Sequence, residues 1–335
     1  MPDGIEYHNL VLLTGAGFTK NYGGFLAKEM WSKIFNHQMV QVRPNVRDAM
    51  VRNTSDYECV YSNILDAERY DQHDKEAIKA AVEQAYEGLD NAIKGWTFNN
   101  DNPTAFNTYG LADLLNLFVG TSPTEKGFIF TLNQDLLFER DYKRRSLGTT
   151  SFPDAKIYDV KGWKMERSNF ITIPTEEEVE KAKQNLTAEP RSLFVKLHGS
   201  YGWRSATQEQ RMVIGKNKAD QINKEPLLKW YFELFQEVLF SGNKRLLIIG
   251  YGFNDEHINN ILLTAMKDHG LSLYIINPSD PADFAQYLQN GRYYALPLWE
   301  QGTKGYFPYS MREIFPPDQS KTVHFKDIKE SLLSS

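Results

Sequence analysis

The sequence predicts an α/β fold built on a doubly wound parallel sheet with an inserted helical module. Five short apolar runs are bounded by turn residues, a pattern typical of strands buried on both faces of a parallel sheet. Helical patterns separate several of these runs, and strands that alternate with helices indicate a Rossmann-like arrangement. The five runs are, in chain order, Asn9–Thr14, Phe128–Leu132, Leu193–Leu197, Arg245–Ile249 and Leu271–Ile276.

Three segments carry apolar residues at the spacing of one helical face, namely residues 74–96, 226–240 and 256–268. Pro226 suits the first turn of its helix, because a first-turn residue needs no N–H donor. Gly242 and Gly270 suit the residues that follow the second and third helices. These signals predict one long helix early in the chain and two helices that each precede a strand of the sheet.

Two long interruptions of the alternation define the predicted units of the chain. The polar interruption is rich in Lys, Ser and Thr and contains a capping-box helix start at Thr175 and Glu178. The predicted units are residues 1–35 together with 126–300 as the Rossmann-like sheet domain, 36–125 as a helical insert, 141–190 as a polar insert within the sheet domain, and 301–335 as a carboxyl-terminal tail.

Composition and charge exclude several classes of protein. The 335 residues carry a formal net charge of -5, with 41% hydrophobic and 24% charged residues, which is an ordinary globular balance. The single cysteine, Cys59, excludes a disulfide framework and a four-cysteine zinc site, and we expect it on a buried helix face. Mild acidity argues against direct nucleic-acid binding. No apolar run is long enough for a membrane span, and the acidic amino terminus is unlike a signal peptide, so we expect a cytoplasmic protein.

All five predicted strands are followed by small or polar residues. In an open α/β sheet, ligands bind outside the carboxyl ends of the strands. The presence of such residues after all five strands is therefore the strongest indication of a ligand site. The segments are Gly15–Thr19 (GAGFT), Asn133–Asp135 (NQD), His198–Ser200 (HGS), Gly250–Asp255 (GYGFND) and Asn277–Ser279 (NPS).

Three of these strand ends carry candidate chemistry. His198 is a candidate general base, because an imidazole with an ordinary pKa of about 6.5 accepts a proton at neutral pH. Asn133 can orient a hydroxyl group or a water with a donor and an acceptor, or it caps its strand. Gly15 and Gly17 let the backbone approach a phosphate closely, or they form a tight turn.

Other polar residues at these ends have structural explanations. Asp135 could hold a ribose hydroxyl, but we favour a helix cap, and we expect Asp255 to cap a helix as well. Asn277 could bind a ribose or an adenine edge, or form a turn before proline. His257 and His269 lie on or beside a predicted helix, and we expect them on the surface.

Together, these segments resemble the motifs of sirtuins in order and in rough spacing. Thr14–Thr19 resembles the GAG-x-S motif, Thr131–Asp135 resembles TQN-x-D, and Leu197–Ser200 resembles the catalytic HG motif. Gly250–Gly252 and Ile276–Asn277 resemble the later cofactor-binding strand ends. The resemblance covers the Rossmann-like frame and leaves out the helical insert and the tail.

Two departures narrow the resemblance. Deacylase sirtuins hold a structural zinc with four cysteines after the HG motif, whereas residues 200–246 contain no cysteine here. The P-D-F-R segment after the first sirtuin motif is replaced by Gly23–Leu26 (GGFL). Both departures are typical of the sirtuin-like NADase domains of bacterial anti-phage defence systems, and the chain is similar to their stand-alone type.

This resemblance implies that NAD is the substrate and that no metal is required. It makes Asn133 and His198 the catalytic pair of an NAD+ glycohydrolase that releases nicotinamide and ADP-ribose, with Phe18 near the nicotinamide. The residues assigned to NAD binding are Gly15, Ala16, Gly17, Phe18, Thr19, Asp135, Gly250, Tyr251 and Asn277. An NAD-dependent protein deacylase and a non-catalytic regulatory subunit that binds ADP-ribose or NAD are the alternatives.

Free NADase activity would kill the host cell, so it must be restrained, and we expect a homo-oligomer or a partner protein to do this. The resemblance implies a HerA-type ATPase as that partner. Residues 289–317 are rich in aromatic side chains and show no helical or strand period, so they form an interface or fold back on the sheet. The apolar face of the 74–96 helix is a second candidate interface.

Overall fold

A seven-stranded parallel sheet forms the centre of the protein in the computed structural model, which describes residues 5–54, 56–95, 107–122, 124–139, 149–150, 170–184, 192–207, 209–291, 293, 295–318 and 320–334. The strands of the described residues are β1 (Glu6–Thr14), β2 (Glu125–Thr131), β3 (Thr149–Thr150), β4 (Ile171–Thr172), β5 (Ser192–Lys196), β6 (Gly199–Arg204), β7 (Gln210–Met212), β8 (Arg245–Ile249), β9 (Ser272–Ile276) and β10 (Thr303–Phe307). Strands β4, β6 and β7 form a separate small sheet, and the other seven form the central one.

The strand order of the central sheet is β10-β9-β8-β1-β2-β5-β3, and each neighbouring pair is parallel. The chain winds outward from β1 through β2 to β5, and then returns to the other side of β1 to form β8, β9 and β10. The predicted doubly wound sheet is therefore confirmed. The direction of winding reverses between β1 and β8, and ligands of such sheets bind at the carboxyl side of this switch point.

Both faces of the sheet are buried, which explains why its strands are continuous apolar runs. In β1, Leu12 faces one hydrophobic cluster while Val11 and Leu13 face the other, as the two-residue period of a strand requires. Helices of the insert and the carboxyl-terminal residues cover the first face. The helices that alternate with β8 and β9 cover the second face.

The described helices follow the predicted positions closely where their apolar period is strong. The predicted helix at 226–240 has those bounds, and the predictions at 256–268 and 74–96 miss the observed ends by one or two residues. Gly270 ends its helix with a φ of 70°, a left-handed conformation that glycine adopts readily. The helices are α1 (Ala16–Lys20), α2 (Ala27–Phe35), α3 (Gln38–Gln41), α4 (Pro44–Arg52), α5 (Tyr57–Asp66), α6 (Gln72–Gly95), α7 (Thr108–Leu115), α8 (Glu176–Gln184), α9 (Lys218–Lys224), α10 (Pro226–Phe240), α11 (Glu256–His269), α12 (Pro281–Asn290), α13 (Met311–Ile314) and α14 (Val323–Leu333).

The aromatic carboxyl-terminal segment contains a strand, although its sequence shows no strand period. Strand β10 pairs with β9 at the edge of the sheet. Trp299 and Tyr306 pack against Phe284 of α12, with ring centroids 5.5 and 5.3 Å from it. An edge strand that is only partly buried and contains a glycine has a weak alternation, which is why its sequence shows no period. Trp299 and Tyr306 are half-buried against the chain's own sheet and helices, as expected if the segment folds back on the sheet.

Helix α6 buries its apolar face within the same fold. Ile78, Val82 and Leu89 belong to the hydrophobic cluster on the insert side of the sheet. This face is therefore not an open interface. Cys59 on α5 is half-buried rather than fully buried, and its Sγ accepts a hydrogen bond from the Asn63 amide at 3.5 Å. Within the described residues, we find no helix whose length and apolar character would let it cross a membrane.

Candidate functional site at the carboxyl edge of the sheet

Four of the predicted strand ends lie side by side at one edge of the sheet. The Leu132 N–H donates to Thr14 O and the Leu197 N–H donates to Thr131 O, each at 2.9 Å. On the other side of β1, the Gly15 N–H donates to Ile249 O at 3.0 Å. The loops after β1, β2, β5 and β8 therefore start at the same level, as parallel strands in register require.

Glycines bring the loops after β1 and β8 into direct backbone contact at the switch point. The Gly17 N–H donates to Gly250 O at 2.9 Å. A Cβ on Gly15 would lie 2.6 Å from that oxygen, and a Cβ on Gly17 would lie 2.7 Å from the Gly250 Cα. These glycines are therefore required by the packing of one loop against the other. This packing accounts for both glycines without a ligand.

Asn133 is held by the loop after β1. Its Nδ2 donates to Gly15 O at 2.9 Å and to Thr19 Oγ1 at 2.8 Å. Because both N–H groups of the amide are engaged, Asn133 cannot also donate to a ligand in this arrangement. Its carbonyl oxygen takes no hydrogen bond from the described residues, so Oδ1 is the atom that can orient a hydroxyl group or a water.

Thr19 and Asp135 hold Asn133 in place through a chain of hydrogen bonds. The Thr19 hydroxyl donates to Asp135 Oδ2 at 2.8 Å, and the Leu137 N–H donates to Asp135 Oδ1 at 2.9 Å. Both side chains are buried. The Asp135 carboxylate therefore accepts one hydrogen bond from a side chain and one from the backbone two residues on, so both of its oxygens already have protein partners.

The remaining assigned NAD-binding residues fall into two groups. The rings of Phe18 and Tyr251 are buried, with Phe18 stacked on Phe138 and the Tyr251 hydroxyl donating to Asn259 Oδ1 at 2.9 Å. Ala16 is exposed at the edge of the sheet. Asn277 is partly exposed at the end of β9, where its Oδ1 accepts the Ser279 N–H at 2.9 Å in a turn.

His198 faces a second histidine. Its side chain is buried with 3% exposure, and its Nε2 lies 2.8 Å from Nε2 of His257. One ring donates this hydrogen bond and the other accepts it. His257 is in the first turn of α11 and is only half-buried, so the prediction that it is a surface residue is wrong. His269 is half-buried too, stacked on Phe240.

The order of residues after β8 already indicated that His257 could lie at the site. The Gly250–Asp255 segment ends at the first turn of a helix that begins at the sheet edge, and His257 follows it by two residues. A side chain in that turn can point back over the strand ends. What the sequence does not show is which of the other strand ends it meets.

Asp255 does not cap α11 with its side chain, and that prediction is wrong. Its Oδ1 instead lies 2.7 Å from Nζ of Lys218 at the start of α9. Lys218 Nζ also lies 2.8 Å from Oε2 of Glu58 on α5. Since a buried carboxylate needs a compensating charge, the ammonium group takes the place of the helix N–H donors.

Burial and charge together keep both imidazoles neutral. Burial is the main cause that holds the pKa of His198 well below its usual value, and it lowers the pKa of His257 to about 4. Burial would raise the pKa of Asp255, but the positive charges of His198, once that ring is protonated in acid, and of Lys218 outweigh it and lower that pKa to about 2. At neutral pH, the site therefore contains two neutral rings beside an ionised carboxylate that is paired with Lys218.

His198, Asp255 and His257 bring one ligand atom each within 4.8 Å of one another, a geometry that could hold a metal ion. Two features oppose this use. The Nε2 to Nε2 separation of 2.8 Å is a hydrogen-bond distance. The Lys218 ammonium already neutralises the carboxylate and would repel a cation. The donor set therefore fits a hydrogen-bonded cluster better than a metal centre.

The helical insert contacts the same site through a buried amide. The Tyr86 hydroxyl of α6 donates to Gln134 Oε1, and Gln134 Nε2 donates to His198 O at 3.1 Å and Val213 O at 2.7 Å. Gln134 thus fixes the backbone that carries His198. The insert reaches the site at two points, because Glu58 also belongs to it.

A SIR2-like domain matches residues 127–295, half of the chain. The chain belongs to the SIR2-like family. The matched region of this SIR2-like protein contains most of β2 and all of β5, β8 and β9. It includes Asn133, His198 and His257. SIR2-like domains are NAD-dependent enzymes, so the match supports an NAD-related activity. The loop after β1 and the helical insert lie outside the matched residues, and no curated protein matches the chain.

Proposed function

We propose that this SIR2-like protein is an NAD+ glycohydrolase that cleaves NAD to nicotinamide and ADP-ribose. The observation that carries the proposal is the placement of His198 and Asn133 after two neighbouring strands, β5 and β2, of a SIR2-like sheet. His198 supplies a buried neutral base, and Asn133 presents an amide oxygen whose orientation is set by the two hydrogen bonds that its Nδ2 donates.

The chemistry of NAD cleavage needs few groups. The glycosidic bond joins ribose C1′ to a positively charged nicotinamide ring, so the leaving group departs neutral and requires no general acid. Ordinary glycosidases use two carboxyl groups, one of which must be protonated. Here the carboxyl beside the imidazoles, Asp255, has its pKa lowered to about 2 and is ionised, as the proposed reaction allows.

Each residue has a separate part in the hydrolysis. Asn133 Oδ1 accepts a hydrogen bond from the attacking water and aims its lone pair at C1′, which contributes through orientation. His198 takes the proton that this water loses as its oxygen bonds to C1′. The electron pair of the broken C–N bond remains on nicotinamide. The low pKa of His198 keeps the ring in the basic, neutral form.

Protein deacylation by the same NAD chemistry is the second candidate, since its first step also releases nicotinamide. The absence of cysteine from residues 200–246 favours hydrolysis, because the four-cysteine zinc of deacylase sirtuins has no ligands there. Part of that stretch forms β6, β7, α9 and α10 here.

The proposed role is the toxic effector of an anti-phage defence system, restrained by homo-oligomerisation or by a HerA-type ATPase partner. The support is the resemblance of the motifs together with the need to restrain a free NADase. The α6 face no longer supports an interface, because the fold buries it. Trp299 and Tyr306 of the aromatic segment are half-buried against the chain's own core. Light scattering on the full chain, alone and with a co-expressed partner, tests whether the protein assembles as this restraint requires.

The decisive experiment incubates the purified chain with NAD, with and without an acyl-lysine peptide, and measures nicotinamide by chromatography. We expect release without peptide. His198→Ala and Asn133→Ala should each lower turnover at least roughly 100-fold, the lower range for loss of a general base. Asn260→Ala, an exposed position on α11, is the matched control.

Two results would contradict the proposal. Release that requires the acyl peptide would favour deacylation. Full turnover in either site variant would remove that residue from the mechanism.

A further inference from the structure

The contact between His198 and His257 has a consequence for catalysis that rests on the proposed function. The two Nε2 atoms lie 2.8 Å apart, although 59 residues separate the histidines in the chain. His198 is buried and His257 is half-buried, with the ring of Phe232 packed against it at 5.7 Å. A hydrogen bond at this distance engages Nε2 of His198, so that nitrogen is not open to a substrate.

We propose that His257 is a positioning residue that accepts a hydrogen bond from His198 Nε2–H and thereby makes Nδ1 the basic nitrogen of His198. Two tautomers satisfy the contact. If His257 donated instead, His198 would carry its proton on Nδ1 and would have no lone pair for the substrate. The tautomer of a histidine base is commonly fixed by the partner of its other ring nitrogen.

The ion pair between Asp255 and Lys218 places an anion beside both histidine rings, where it can stabilise a positive charge on them. The Asp255 carboxylate lies within 4.8 Å of the ligand nitrogens of both rings. Lys218 and, through it, Glu58 hold that carboxylate in place at 2.7 and 2.8 Å. When His198 gains a proton, the positive charge spreads over two rings beside an anion. Lys218 limits this attraction and so adds to burial, the main cause, in keeping the rings neutral in the resting site.

The step balances in protons and electrons. The water oxygen bonds to C1′, the C1′–N bond breaks, and its electron pair goes to nicotinamide. The water proton goes to His198 Nδ1, while the Nε2 proton of His198 moves toward His257 Nε2. After the products leave, Nδ1 loses its proton to solvent and the Nε2 proton returns to His198.

Two substitutions at the same position test this role in the full-length chain. His257→Phe keeps a ring that can pack on Phe232 but removes the acceptor. His257→Gln keeps an acceptor oxygen but removes the ring. We expect His257→Phe to lower kcat at least about tenfold with KM for NAD within about threefold, and His257→Gln to recover most of that loss. His269→Gln, half-buried on the same helix, is the control.

A purely structural role would give the opposite order, because Phe preserves the packing better than Gln does. Wild-type kcat in His257→Phe, equal losses in both variants, or a loss confined to KM would overturn the proposal. A loss of wild-type activity on chelation would also overturn it, since His198 and His257 would then serve as metal ligands.

A second measurement needs neither activity nor a folded variant. Long-range proton–nitrogen correlation spectra of the wild-type protein report which ring nitrogen of His198 carries the proton at neutral pH. We expect the Nε2–H tautomer, and an Nδ1–H tautomer would overturn the assignment. If wild-type protein released no nicotinamide, the proposed function would fail, while this spectrum would still decide the pairing of the two rings.

Discussion

The two halves of the sheet's carboxyl edge differ in how they use their polar residues. On the half formed by β1, β2 and β5, the polar residues are linked across loops, and Asn133 is fixed by two bonds to the loop after β1. On the half formed by β8 and β9, the side chains of two residues assigned to NAD binding make hydrogen bonds to nearby residues in the chain. Tyr251 bonds within its own loop and helix, and Asn277 forms a local turn.

The second half contributes through residues that were not assigned to the site. Asp255 and His257 come from the segment after β8 and reach across to His198 at the end of β5. A polar residue at a strand end is therefore weak evidence of function by itself. A side chain that bonds to a different strand end is stronger evidence, because its position is fixed for the site rather than for its own turn.

The largest expected effect is at Gly250, where the two halves meet. Gly250 has a φ of 69°, and a Cβ there would lie 2.2 Å from the Phe18 nitrogen. Gly250→Ala should lower the free energy of unfolding by about 3 kcal/mol or more, because the left-handed conformation and the backbone clash add. Denaturant titration measures this.

Gly242→Ala is the matched control for that change. Gly242 also has a left-handed φ, 98°, but a Cβ there would meet no atom within 4 Å. Its expected loss is about 1–2 kcal/mol, from the conformation alone. Equal losses at Gly250 and Gly242 would mean that the two loops do not pack as closely as described.

The next effect is a loss of stability in mild acid, caused by the histidine pair that joins the halves. In the unfolded chain a histidine has a pKa of about 6.5, whereas in the folded protein that of His257 is about 4. Between these values the unfolded chain binds more protons, so the free energy of unfolding falls as the pH drops through this window. His257 alone accounts for a loss on the order of 3 kcal/mol between pH 7 and 4.

Denaturant titrations at several pH values check this loss, with His257→Gln as the variant in which it should shrink. The groups that face the two rings are Asp255 and Lys218, and Glu58 lies behind them. The folded pKa of Asp255, about 2, lies below this window. A stability that is flat from pH 7 to 4.5 would show that the rings are not buried in the neutral form.

The smallest effect is expected at the end of β9. Asn277→Ala removes one hydrogen bond within a partly exposed turn, so kcat/KM for NAD should change by less than about threefold. Nicotinamide release at varied NAD concentration measures it against Asn133→Ala. A tenfold rise in KM would place the β9 end in the binding site and remove the contrast between the two halves.

The sequence by itself determined five of the seven strands of the central sheet and several of the helices that cover it. Continuous apolar runs predicted β1, β2, β5, β8 and β9, because strands buried on both faces have no polar side. The bounds of α10 followed from Pro226 and a strong helical period. The strand ends also indicated the edge at which the site is expected, since parallel strands bring their carboxyl ends to one edge and His198 and Asn133 follow two of them.

The tertiary structure decided which of those residues act together. Strand β10 is held by its neighbour and by aromatic packing, so its own residues carry no clear period. His198, Lys218 and His257 come from three separate segments, and Glu58 comes from the helical insert. Local periodicity shows which helix or strand a side chain belongs to. Which group that side chain contacts depends on how its helix is rotated relative to a distant strand end, and only packing sets that rotation.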